Sequence, residues 1–258
     1  MSLSEYILEV RNISLSFKGV SAISGLSFNI RRSEICALIG PNGAGKSSLL
    51  NVLNGVYRPD SGEIVFESAH FHRINTIDVA RRGIGRTFQN NALFKKMSVI
   101  DNVLTGLSRH ARTNFFEQAF SLPRSRREAH VFRAEAENTL EFLELQPYRD
   151  VPVGSLAYGL QKRVELGRAL ISGPSLLLLD EPMAGMNAEE KQEMSRFITE
   201  VNSSLGTTVV LIEHDMGVVM DISNHVVVLD YGRKVGDGTP AEVQVNPDVI
   251  TAYLGTVH

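Results

Sequence analysis

Gly40-Pro41-Asn42-Gly43-Ala44-Gly45-Lys46-Ser47 spells G-x-x-x-x-G-K-[ST], the pattern of a phosphate-binding loop between a strand and a helix. Gly40, Gly43 and Gly45 let the backbone curl without Cβ clashes, so that successive N–H groups point inward at phosphate oxygens. Lys46 is spaced to reach the β- and γ-phosphates and Ser47 offers a hydroxyl to Mg²⁺. A helix starting near Lys46 presents its positive N-terminus to the same anion. An incidental glycine-rich turn would lack the flanks seen here. Ile35, Ala37, Leu38 and Ile39 make a short apolar run before the loop, and Leu49, Leu50, Val52 and Leu53 supply a helical face after it.

Working outward, Tyr6–Phe17 and Ala22–Ile30 are runs of β-formers separated by Lys18-Gly19, which predicts two antiparallel strands. Downstream, Tyr57–Gly62 is rich in turn residues and Glu63–Glu67 reads as a further strand. From Asn91 to Pro152 the pattern becomes helical: Phe132, Ala136, Leu140 and Leu143 form one apolar stripe, as an inserted subdomain would. A continuous apolar run then resumes at Ser175–Asp180, which suits a buried parallel strand. The spacing predicts a helix over 188–205 with Met194, Phe197, Ile198, Val201 and Leu205 on one face, then strands Thr207–Ile212 and Val226–Leu229. After Tyr231 the reading is turns at Gly232 and Gly236–Gly238 and a short helix ending at Leu254. The fold class is therefore α/β: a phosphate-loop core with a mostly parallel sheet, an N-terminal antiparallel β subdomain and an inserted α-helical subdomain. The divisions are 1–30 antiparallel, 31–90 and 156–230 core, 91–155 helical and 231–258 tail, within a single domain.

Composition narrows the classes. The chain has 258 residues, 43% hydrophobic and 21% charged, as a soluble globular protein with a substantial core would. No apolar stretch approaches the roughly 20 residues that cross a bilayer, and Glu5 and Glu9 argue against a secretory leader, so a cytoplasmic location is expected. One cysteine, Cys36, excludes an internal disulfide and reads as a small core residue. A net charge of −3 gives no case for nucleic acid as main partner. The basic stretch Arg124–Arg127 reads as a solvated helix end or loop rather than a docking site.

A phosphate loop alone fits a kinase, a GTPase or a transport ATPase, so downstream residues must choose. Leu176-Leu177-Leu178-Leu179-Asp180-Glu181-Pro182 ends a strand in an acidic pair. Asp180 would then stand at the carboxyl edge of the sheet, placed to hold Mg²⁺, while Glu181, facing a different way by strand alternation, polarises the attacking water. His214, after strand Thr207–Ile212, is placed at the same edge to hydrogen-bond the γ-phosphate and that water. Asp215 either orients the loop or is solvated. Gln89, where the core gives way to the helical insert, carries an amide able to accept from metal-bound water and to donate to phosphate, so it could report nucleotide to the insert. Leu156-Ala157-Tyr158-Gly159-Leu160-Gln161 feeds a helix N-terminus, a second anion site. A loop on the insert is not expected to fold back onto its own phosphate loop, so a second subunit is implied, each capping the other's nucleotide.

In this order, the loop at 40–47, Gln89, the loop at 156–161, Leu176–Pro182 and His214 resemble the nucleotide-binding subunit of an ABC transporter, over nearly the whole chain. The resemblance implies ATP and Mg²⁺ as ligands. It also implies head-to-tail dimerisation, as a homodimer or with a paralogous ATPase, and hydrolysis coupled to two transmembrane permease subunits. It places the chain peripherally on the cytoplasmic face of the inner (plasma) membrane. Nucleotide contacts carry over to Gly40, Asn42, Gly43, Ala44, Gly45, Lys46, Ser47 and Ser48, and across the dimer to Ala157, Tyr158 and Gly159. Metal contacts carry over to Ser47, Gln89 and Asp180, and catalytic roles to Glu181, His214, Lys46 and Gln89. Phe17 falls where the family stacks an aromatic on adenine, with Val20 and Ala22 nearby; a core phenylalanine is the competing reading.

A finer resemblance, to the LivG-like ATPases of branched-chain amino-acid importers, rests on Ser155–Arg163, Ala184–Ala188, Leu211–Met216 and the ending Asn246–Ile250 with Ala252–Gly255. It implies a periplasmic solute-binding protein as a further partner. Two departures from the general pattern stand out. Ala157, Tyr158 and Leu160 replace the serine, a glycine and the glutamine of the usual Leu-Ser-Gly-Gly-Gln signature, a lost hydroxyl bond of about 1–3 kcal/mol if nothing substitutes. Asn187 replaces an aspartate in the loop that crosses the dimer interface, and it also suits a helix N-cap with Glu190 three residues on. Competing functions are a stand-alone cassette of a lipid or glycan exporter and a non-transport nucleotide-gated clamp. A phosphate-loop kinase would leave Glu181 and His214 unexplained.

Overall fold

The computed structural model describes residues 5–72, 75–87, 93–108 and 122–254, in two compact units, 1–86 with 175–258, and 87–174. In the first unit, β1 (Tyr6–Phe17) and β2 (Val20–Arg31) pair antiparallel. Lys18 (φ 48°) and Gly19 (φ 87°) both take positive φ between them, the backbone of a primed hairpin turn. With β4 (Ser61–Phe66) and β5 (Ala69–Phe71) they form a four-stranded sheet in the order β2-β1-β4-β5.

The second sheet has six strands in the order β10-β9-β3-β8-β7-β6. Five of them, β3 (Ile35–Ile39), β6 (Ile84–Arg86), β7 (Leu176–Asp180), β8 (Thr208–Ile212) and β9 (His225–Asp230), run parallel. The α/β architecture read from the sequence is the one found: the strands it placed before Tyr231 end within two residues of the predicted bounds, while the three-residue β5 and β6 were not read.

Side-chain alternation along the strands divides the core in two. Cys36 and Leu38 of β3 pack with Ile7, Leu26 and Phe66 of the first sheet and with Leu49 and Leu50 of α1 (Lys46–Leu53). On the other face, Ala37 and Ile39 join Val219 of α7 (Met216–Ile222), Val243 of α8 (Pro240–Gln244) and Val249 of α9 (Pro247–Leu254). Strands buried on both faces need no polar alternation, hence the unbroken apolar runs. Helix α2 (Thr76–Arg81) precedes β6.

Helix α6 (Ala188–Leu205) has the predicted bounds. Asn187 and Glu190 close a reciprocal capping box at its start, and Gly206, left-handed at φ 67°, ends it. Leu205, placed on the apolar face by spacing, is instead exposed at the helix end. The reading of the tail as turns and one helix also needs correction. Arg233–Gly238 is β10, antiparallel to β9, and α8 intervenes before α9. The glycines that suggested turns serve close packing: a Cβ on Gly236 would lie 2.6 Å from Val249 Cγ2.

The second unit carries α3 (Val99–Leu104), α4 (Pro123–Phe142) and α5 (Tyr158–Leu170). It continues to Pro174, so α5 belongs to it and not to the core in which 156 onward was placed. Ala136, Leu140 and Leu143 of the predicted stripe are fully buried, while Phe132 is half-buried. Buried Asn102 bonds Phe94 O, Met97 O and Ser98 O through its amide nitrogen and accepts from Phe94 N, which satisfies the turn into α3. Arg124, Arg126 and Arg127 lie exposed on the first turn of α4.

Candidate nucleotide site

The loop 40–47 links the carboxyl end of β3 to α1. Gly40 (φ 144°) and Gly45 (φ 100°) are obligatory: a Cβ would fall 2.0 Å from Leu229 O at the first and 2.5 Å from Ala22 O at the second. Gly45 occupies the N-cap of α1 with no side-chain cap and no acidic residue in the first turn. The helix therefore offers uncompensated N–H groups and positive charge to an anion. Asn42, Gly43 and Ser47 are exposed, Ser48 is half-buried, and Ala44 is buried.

Lys46 is buried, its ammonium folded over the loop to donate to Gly40 O at 2.8 Å and Pro41 O at 3.0 Å. Burial holds it below the ordinary lysine value, against the pull of the neighbouring Glu181 and Asp180 charges. These are the two carboxylates that the sequence places after the apolar strand. Asp180 ends β7, beside β8 and two strands from β3 in the sheet, so it shares the carboxyl edge with the phosphate loop.

Glu181 Oε1 lies 2.8 Å from His214 Nε2. The two residues assigned to hydrolysis thus meet directly. Strand alternation is not what turns Glu181 away from Asp180, however. Glu181 adopts the left-handed region, φ 51°, a sterically costly choice for a non-glycine residue that reorients the chain as β7 ends.

Phe17 is 42% exposed at the end of β1, edge-on to Tyr57 with ring centroids 5.0 Å apart, and so is not a core phenylalanine. Val20, its partner in the hairpin register, is also exposed. The same strand brings Ala22 O against Gly45, so the hairpin adjoins the phosphate loop.

Gln89 lies outside the described residues. Ala157, Tyr158 and Gly159 belong to the helical unit. Ala157 is the N-cap of α5, and Tyr158 through Gln161 form its first turn rather than a loop before it. That turn has neither a side-chain cap nor an acidic residue, so its amides suit an anion. Gln161 does not reach outward: its amide donates to Leu156 O at 2.9 Å.

Two residues of the site, Arg86 and Glu213, were not singled out from the sequence. Arg86 ends β6, donates to Asp180 Oδ2 at 3.2 Å and Asn51 Oδ1 at 2.8 Å, and is nearly buried. Glu213, 5% exposed, accepts from Met183 N at 2.9 Å and His214 N at 3.2 Å. Burial pushes its carboxyl above the usual range against those hydrogen bonds. Asp215 orients its loop: its Oδ1 caps α7 through Gly217 N and Val218 N, and its Oδ2 pairs with Lys191 at 2.6 Å. The lysine holds the Asp215 carboxyl below its ordinary value. An isolated cation ending a short strand, and an acid between an apolar strand and a histidine, are the signals that these residues left in the sequence.

Known proteins converge on the same reading. Residues 23–184 match the family model for ABC transporters, and residues 233–258 match that of the branched-chain amino acid ATP-binding cassette transporter. The high-affinity branched-chain amino acid transport ATP-binding protein BraF of Pseudomonas aeruginosa is 40% identical over 253 residues, 98% of this chain and 99% of its own. LivG of Escherichia coli K12, with the same description, is 38% identical over the same shares. Among solved structures, a nucleotide-free ATP-binding cassette from an ABC transporter superposes with a TM-score of 0.85 at 30% identity, covering 97% of this chain and 99% of that one. An ABC-transporter cassette in its ADP conformation gives 0.83 at 28% identity, covering 98% and 100%. The chain belongs to the ABC transporter family, as one of its ATP-binding subunits.

Proposed function

We propose that this chain is the ATP-hydrolysing subunit of an importer for branched-chain or related amino acids. The hydrolytic part rests on one observation above others, the 2.8 Å contact of Glu181 with His214 at the sheet edge that carries Lys46 and the phosphate loop. Backbone amides of 40–48 and the α1 N-terminus hold the triphosphate, and the Lys46 ammonium leaves its carbonyl partners for the β- and γ-phosphates. Phe17 stacks on the adenine. Glu181 Oε1 accepts the proton of the attacking water, and His214 Nε2 orients the carboxylate and the γ-phosphate. The Ser47 hydroxyl and the Asp180 carboxylate are hard oxygen donors that fit Mg²⁺, with Gln89 assigned to the same ion; bound there, the ion would offset phosphate charge.

The first turn of α5, from Ala157 to Gly159, closes over the nucleotide of a second copy or a paralogue. Closure drives two permease subunits at the cytoplasmic face of the membrane, supplied by a solute-binding protein outside. The solute class rests on the match of residues 233–258 and on near full-length identity to BraF and LivG. Among the described residues no helix is long and apolar enough to cross a membrane, in keeping with separate permeases. Reconstitution with those permeases tests the assignment: ATP-dependent uptake of leucine, isoleucine or valine into vesicles is expected. Uptake of none of them, with ATP hydrolysis intact, would return the solute to the exporter alternative.

A further inference from the structure

Glu213 is buried at the centre of the site, yet hydrolysis as described makes no use of it. β7 and β8 pair in parallel up to Asp180 and Ile212, and Glu181 N donates to Ile212 O at 3.0 Å as the last rung of that ladder. Beyond this rung the backbones diverge, because Glu181 turns into left-handed space. Two amides just past the divergence, Met183 N and His214 N, are met by the two oxygens of one side chain, Glu213, at 2.9 Å and 3.2 Å. Met183 is itself fully buried. The carboxylate thus ties the segment that carries Glu181 to the backbone of the residue that Glu181 touches.

We propose that Glu213 is a positioning residue for ATP hydrolysis: it clamps Met183 to His214 and so keeps Glu181 and His214 in hydrogen-bond register. The inference rests on the ATPase reading above. The chemistry calls for a carboxylate, since both partners are N–H donors and both oxygens must accept. In Glu213→Gln the size is kept, but the amide nitrogen faces one of the two backbone donors, so one leg of the clamp fails whichever way the amide lies. In Glu213→Asp the charge is kept and the reach is shortened by a methylene.

Steady-state hydrolysis by the full-length chain, with ATP affinity measured in parallel by calorimetry, tests the proposal. Misplacement on the scale of an ångström predicts a fall in kcat of about tenfold to a hundredfold in both variants. ATP affinity and KM should stay within about twofold, because the phosphate loop is untouched. In a His214→Ala background the Glu213→Gln change should cost little more, since it acts through the pair. A purely structural acid would predict independent losses instead. Parent-like turnover in Glu213→Gln, joint loss of affinity and turnover, failure of both variants to fold, or additive losses with His214→Ala would each overturn the clamp. A parent chain that hydrolyses no ATP would overturn the ATPase reading instead.

Discussion

Glu181 concentrates the chemistry in one side chain. Its left-handed backbone, its contact with His214 and its place one residue after Asp180 support the proposal that it takes the water proton. Glu181→Gln keeps the hydrogen-bonding shape and removes the base, so turnover should fall by about 10²–10⁴ while ATP stays bound; hydrolysis at the parent rate would show that another group takes the proton. That Lys46, Asp180, Glu181 and His214 gather at one sheet edge was legible because each stands at a fixed offset from an apolar strand. Glu213 and Arg86 were not, because their importance lies in contacts with residues 30 and 94 positions away. The cause of the turn at Glu181 was misassigned for a related reason: strand alternation applies within a strand, and this residue lies just past one.

At the scale of elements, the parallel strands were legible from their unbroken apolar runs and α6 from its cap and period. β10 was not, since Gly236 and Gly238 read as breakers until Val249 of α9 is laid against the first and Glu242 of α8 against the second. The start of β9 holds a charge cluster of its own. His225 Nδ1 lies 3.2 Å from Glu34 Oε1 and Nε2 lies 2.7 Å from Asp237 Oδ1, so the ring donates from both nitrogens and is an imidazolium. Burial opposes that charge, but hydrogen bonds to Asp237, Cys36 and Glu34 overcome it and the pKa is pushed up to about 12 from 6.5. The folded state therefore keeps a proton that the unfolded chain loses. Its stabilisation is full below about pH 6.5 and declines as pH rises toward about 12. The melting temperature of His225→Gln should fall well below the parent at pH 6, with a gap that narrows at pH 9; a gap that widens would reverse the sign of this coupling.

For the molecule as a whole, the proposed enclosure of a nucleotide draws on two chains, each supplying a different unit. The phosphate loop and the acidic pair lie in one, and the α5 first turn lies in the other. In that proposed enclosure, the absence of a serine hydroxyl at Ala157 should leave the contact weak. Ala157→Ser in a Glu181→Gln background should tighten the ATP-bound dimer by about 0.5–1.5 kcal/mol, read by light scattering across a concentration series. An unchanged dimer constant would mean that backbone amides alone make the contact. The account depends most on the grip of residues 40–47 on triphosphate, and calorimetric titration of the parent chain and Lys46→Ala with ATP and Mg²⁺ measures it directly. The prediction is binding by the parent and affinity at least about tenfold weaker in the variant, some 1.4 kcal/mol; equal affinities, or no binding by the parent, would contradict it.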